Sequence, residues 1–138
     1  MDLDNPVLKL CQDGMRAEAE GRAADARALF ERAWARRTDS YDACIAAHYL
    51  ARHQDHPEEV LRWNQEALRQ ADAVDDTRIS ALYPSLHVSV AMAYERLSNL
   101  AAARAAFARA ADHVAVLPAD TYGEQLRTAI TDGLRRLS

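Results

Sequence analysis

The chain has few of the residues that interrupt helices. Glycine and proline number only four each in 138 residues, so long segments run without a backbone break. Cysteine is almost absent. The two present, Cys11 and Cys44, exclude a disulfide-dense secreted scaffold and predict reduced, semi-buried thiols in a cytoplasmic protein. No apolar run approaches the roughly 20 residues of a membrane span. The opening residues Met-Asp-Leu-Asp-Asn-Pro hold neither a basic stretch nor an apolar core, so no secretory leader is expected. An excess of one charge is also lacking: the net charge is −4 and the signs are interspersed. Binding of nucleic acid would need a basic stripe that neutralises phosphates. The two arginine groups, Arg32, Arg36, Arg37 and Arg127, Arg135, Arg136, fall in or near final helical turns, where cations complement the macrodipole. Both read as solvated faces, and neither nucleic acid nor membrane is an expected partner.

What remains is helix-forming and globular. Hydrophobic residues make up 49% and charged residues 28%, a balance that sustains a packed core. Alanine, the best helix former, is abundant beside arginine. The length suits one domain over residues 1–138 that buries about two-thirds of its unfolded surface. Seven helices are expected, over 6–20, 23–36, 40–53, 57–74, 77–97, 100–116 and 121–137. Asn5 before Pro6 marks a capped start. Pro57 followed by Glu58 and Glu59 repeats the device with acids at the positive helix end, and Thr121 with Glu124 reads as a capping box. The fifth helix contains Pro84, which disfavours helical geometry at Tyr83. Ile79, Leu82, Leu86, Val90 and Leu97 nevertheless keep one apolar stripe across it, which predicts a kinked helix through the proline, with a helix starting at Pro84 as the alternative.

A repeat organises these helices. Gly21 is followed by Ala26, Phe30 and Ala33; Asp55, Val60, Asn64 and Ala67 stand 34 residues further on; Ser98, Ala103, Phe107 and Ala110 stand another 43 on. Small residues at Gly14 and Ala91, with His48 between them as a departure, occupy one place in the preceding helices, and Ala17, Ala51 and Tyr94 the next. Small residues at such spacing let helices approach to about 8–10 Å. Three copies in phase resemble the tetratricopeptide (TPR) family, across repeats at about 7–40, 41–74 and 84–117. The resemblance implies an all-α, right-handed superhelix of three antiparallel hairpins. The helix at 121–137, with Leu126, Ile130, Leu134 and Leu137 on one face, would cap the last hairpin.

The resemblance also implies a concave groove lined by Gln12, Met15, Tyr49, Arg52, His53, Ser89, Met92 and Arg96. Met15, Tyr49 and Met92 hold equivalent places and form an adaptable apolar strip, while Arg52 and Arg96 could donate to a carboxylate on a bound segment. The alternative is that these residues pack against the final helix or a second copy. Some TPR domains clamp a terminal carboxylate with Lys and Asn; the matching places hold Leu8, Cys11, Met15, Ile45, Tyr49 and Ser89, so that clamp is not expected. Trp34 and Trp63 read as packing at the repeat interface ahead of an interaction hot spot.

Sites of chemistry are not expected. Cys44, His48 and His87 fall short of the four convergent ligands of a zinc site, and His53 and His56 straddle a turn. No cofactor or metal is expected. Phosphate-loop, serine-elbow and zinc-protease patterns are missing, and Glu58, Glu59, Asp75 and Asp76 stand at helix starts and loops, where caps use them. The expected function is that of a non-enzymatic adaptor binding an unidentified protein or peptide. A self-associating structural homodimer is the alternative, and a small-molecule sensor or enzyme stands behind both.

Overall fold

The computed structural model describes residue 2 and residues 4–138, and among them it is all-helical, with seven α-helices and no strand. The helices are α1 (Pro6–Ala19), α2 (Ala23–Ala35), α3 (Ser40–Ala51), α4 (Pro57–Asp72), α5 (Tyr83–Arg96), α6 (Leu100–Ala111) and α7 (Thr121–Arg136). Short 3₁₀ helices occupy Thr77–Leu82 and Val114–Val116. Among the described residues no helix is long and apolar enough to cross a membrane. The chain forms two compact units, Met1–Val74 and Asp75–Ser138.

In the first unit α1 packs on α2, and α3 on α4, as hairpins; α2 and α1 each also pack on α3. Asn5 starts α1, its Oδ1 accepting from the Val7 and Leu8 amides at 2.8 and 3.4 Å, with Pro6 at the first position. Gly21 makes the α1–α2 turn with φ +76°, a left-handed conformation that costs other residues energy. The repeat positions Ala26, Phe30 and Ala33 are fully buried. Gly14 is where α1 meets Phe30: a Cβ there would lie 2.5 Å from the ring edge. The α3 start is knitted by Asp39 and Asp42, which form a reciprocal capping box. Asp42 is completely buried and accepts from the Thr38 amide (3.0 Å), the Thr38 hydroxyl, the Asp39 amide (3.3 Å) and the Asn5 amide group (3.1 Å). Its carboxylate thereby ties the start of α1 to that of α3. A buried charge is tolerable only with such partners.

In the second unit α5 packs on α6, and α7 covers both. Ala91, Ala103, Phe107 and Ala110 are buried, and Gly133 of α7 faces Phe107, where a Cβ would lie 2.6 Å from the ring. Ser98 turns α5 into α6 with φ +61°, and Asn99 caps α6 by accepting from the Ala102 amide.

The structure corrects the expected continuous helix through Pro84. Residues Thr77–Leu82 form a 3₁₀ helix started by Asp76, and the α-helix begins at Tyr83, with Pro84 in its first turn. There the missing amide hydrogen lacks no intrahelical acceptor, and the ring meets no preceding α-helical carbonyl. The apolar stripe survives the break: Ile79, Leu86 and Val90 are buried. Tyr83 adopts φ −57° and ψ −42°, helical geometry that a following proline disfavours. The expected sixth helix ends early, at Ala111, before a separate 3₁₀ turn. The helix α7 starts at Thr121 as expected, but its cap differs. Asp120, not Thr121, is the cap, its Oδ1 accepting from the Gly123 amide at 2.8 Å.

Candidate functional site

On α1, Gln12 and Met15 stand three residues apart and therefore share a face; both are half-buried. At the end of α3, Tyr49, the cap residue Arg52 and His53 just beyond it form one cluster. Tyr49 stacks on Phe30 of α2, with ring centroids 5.3 Å apart and planes at 16°. His53 tilts against the same Phe30 ring at 5.4 Å. The Arg52 guanidinium lies 5.5 Å from the Tyr49 centroid, within cation–π range.

Glu18 of α1 completes the cluster. One of its oxygens, Oε2, is 2.7 Å from His53 Nε2 and 3.4 Å from Arg52 Nε. The Glu18 and His53 side chains are only 17% and 13% exposed, whereas that of Arg52 is 56% exposed. The ion pair therefore sits at a boundary, with the guanidinium reaching water. Arg27 Nη1 donates to the His53 carbonyl at 2.9 Å, fixing the end of α3 from α2.

The remaining expected groove residues belong to the second unit. Ser89, Met92 and Arg96 follow one another at i, i+3 and i+7 on α5, Ser89 half-buried and the other two exposed. Among the described residues, Met92, with 52% of its surface accessible, is one of four exposed large hydrophobics, the others being Leu100, Val116 and Tyr122. All four lie in this unit.

Sequence reasoning missed Glu18 and Phe30 as parts of the Tyr49 cluster. Phe30 was marked only by its repeat position, and Glu18 meets His53 across 35 residues of chain, a separation that no local pattern reveals. A second missed cluster joins Tyr83, His87 and His113. The three rings are near-parallel, with centroids 5.0–5.8 Å apart. The i, i+4 spacing of Tyr83 and His87 was visible, but His113 comes from the connection after α6.

The other candidates have structural surroundings. Cys11 and Cys44 are free and fully buried. Burial pushes both thiols up to about 12, helped by the charges of Asp42 at Cys11 and Asp72 at Cys44. His48 Nδ1 is buried although the residue keeps some surface. That burial, and secondarily the Arg52 charge, lowers the imidazole to about 4. His56 is the exposed first-turn cap residue of α4. Among the described residues no three His, Cys, Asp or Glu side chains group so as to hold a metal ion.

Trp34 and Trp63 meet edge-to-face at 5.1 Å, with Arg37 over Trp34 at 4.2 Å. Arg127 donates to the Leu117 and Pro118 carbonyls, Arg135 pairs with Asp132, and Arg136 binds Glu95 with two nitrogens at 2.7 and 3.0 Å. The outer side of α7 is polar, with Thr121, Glu124, Gln125 and Thr128 around a shallow surface depression. No family model, curated protein or solved structure matches the chain.

Proposed function

We propose that this chain is a TPR-like adaptor that binds a segment of another protein in the cytoplasm, without enzymatic activity or cofactor. The observation that carries the reading is the Phe30–Tyr49–Arg52 stack at the α1–α3 face. It is an aromatic residue held by a buried ring and topped by a half-exposed arginine. Tyrosine and arginine at the edge of a packed core are the residues that dominate protein interfaces. The packing of Tyr49 on Phe30 lowers the ordering cost of binding. Met15 and Gln12 on α1 extend the face, Met15 with an adaptable thioether. The TPR reading is supported by the close meeting of Gly14 with Phe30 and by the burial of the small residues at the repeat positions. Half-buried Ser89 and exposed Met92 and Arg96 on α5 make the corresponding strip of the second unit.

Selection from a displayed library of short random segments tests this. Enriched segments should bind the purified chain, lose at least about tenfold in affinity on Tyr49→Ala, and be unaffected by Thr128→Ala on α7. No enrichment, or binding indifferent to Tyr49→Ala, contradicts the proposal. A homodimer is the second reading, favoured by the exposed Met92, Leu100, Val116 and Tyr122. A mass that doubles with concentration in light scattering, and returns to the monomer value on Met92→Ser, would put that reading first.

A further inference from the structure

Most ion-paired arginines of the chain use their outer nitrogens. Arg22, Arg62, Arg69, Arg78, Arg135 and Arg136 each place an Nη atom on a neighbouring carboxylate. Arg52 differs. Its closest ion-pair contact, like that of Arg27 with Glu31, is at Nε, here 3.4 Å from Glu18 Oε2, and among the described residues its Nη atoms make no hydrogen bond. The same guanidinium rests on the Tyr49 ring, which is itself backed by Phe30. Glu18 is in turn anchored by His53 at 2.7 Å. Arg52 thus has its Nε beside Glu18 and one face toward Tyr49, with more than half of its side chain in solvent. It presents two parallel N–H donors, the arrangement that matches a carboxylate bidentately.

We propose that Arg52 receives an Asp or Glu side chain of the bound segment, with Glu18 as the residue that positions it. The inference rests on the binding reading above and names the chemistry that the face selects. The charge of Glu18 does not cancel the attraction. A carboxylate on the outer edge sits about 4 Å from the guanidinium centre and roughly 7 Å from Glu18, and Coulomb energy falls with distance. His53 also shares the Glu18 oxygen.

The test follows the backbone amide signals of positions 49, 52 and 53 by NMR, which every variant retains, while the intact chain is titrated with N-acetyl-glutamate N-methylamide. The glutamine analogue is the uncharged control, and N-acetyl-alanine supplies a terminal carboxylate. A saturable shift with the glutamate probe alone, weakened several-fold by Arg52→Lys and also by Glu18→Gln, is the expected result. Arg52→Lys keeps the charge but loses the planar fork, and unchanged amide spectra elsewhere show that the variants fold. No saturable shift, or equal shifts with the glutamine analogue, overturns the carboxylate site. Preference for N-acetyl-alanine overturns the side-chain assignment, and tighter binding after Glu18→Gln makes Glu18 a competitor, overturning its positioning role. If library-selected segments still need Tyr49 while the glutamate probe is silent, this inference fails and the binding reading stands.

Discussion

Asp42 offers the sharpest test of how the first unit is held together. It is fully buried and accepts four hydrogen bonds, from the Thr38 amide and hydroxyl, the Asp39 amide and the Asn5 side chain. Hydrogen bonds to a charged group contribute about 1.5–3 kcal/mol each. Four of them do not add up to that multiple on Asp42→Ala, because Thr38 and Asp39 are exposed and water replaces part of what their donors lose. Asn5 is half-buried, and its amide group loses its link to α3. We therefore expect Asp42→Ala to cost about 3–4 kcal/mol, in the range seen when a buried charge partner is removed. That is a large share of the ~5–15 kcal/mol of a typical domain, and lowers the melting temperature by roughly 10 °C for a chain of this size. Urea unfolding reads the cost as a fall in midpoint at unchanged slope. A double-mutant cycle with Asn5→Ala isolates the α1–α3 tie, with an expected coupling of about 1.5 kcal/mol. A loss below about 1 kcal/mol for Asp42→Ala, or additive single mutants, would refute the view that this carboxylate joins the two helix starts.

Four further outcomes follow from the packing and the titrating groups. Gly14→Ala and Gly133→Ala should each cost about 1–3 kcal/mol, because the new Cβ meets Phe30 or Phe107 at 2.5–2.6 Å; urea midpoints check both. The two left-handed turn residues should respond with opposite signs. Gly21→Ala loses about 1 kcal/mol through backbone strain alone, since no atom lies within 4 Å of its added Cβ, whereas Ser98→Gly is neutral or stabilising by a few tenths of a kcal/mol. His48 is lowered to about 4 in the folded chain, so unfolding takes up a proton between about pH 6.5 and 4. Its contribution is full above the unfolded value and is lost as pH falls through that window, by at most about 3 kcal/mol. The pH profile of His48→Gln should be flatter there. Cys11 and Cys44, pushed up to about 12, should resist a thiol reagent at pH 8 and react only as fast as the first unit opens.

The helices were legible where the signal is local. Asn5–Pro6 and the Ala26, Phe30, Ala33 spacing each act within a turn or two of chain, and both reappear as a capped start and a buried face. The break before Tyr83 was not resolved, because an apolar stripe has nearly the same phase through a 3₁₀ segment as through a kinked α-helix over so few residues. The cap of α7 was displaced by one residue, since Asp120 and Thr121 are both good caps and only the extended backbone at Asp120 decides between them. For the candidate site, Tyr49, Arg52 and His53 could be placed together from the end of one helix. Glu18, which holds two of them, could not, because ion pairing across two helices leaves no periodic trace in the sequence.

The measurement that bears most directly on the central claim is amide chemical-shift mapping of the whole chain with a library-selected segment. The account predicts that the largest shifts fall on Met15, Tyr49, Arg52 and His53, with Thr121 to Thr128 of α7 unmoved. Shifts centred on α6 and α7 with the Tyr49 region silent would contradict it.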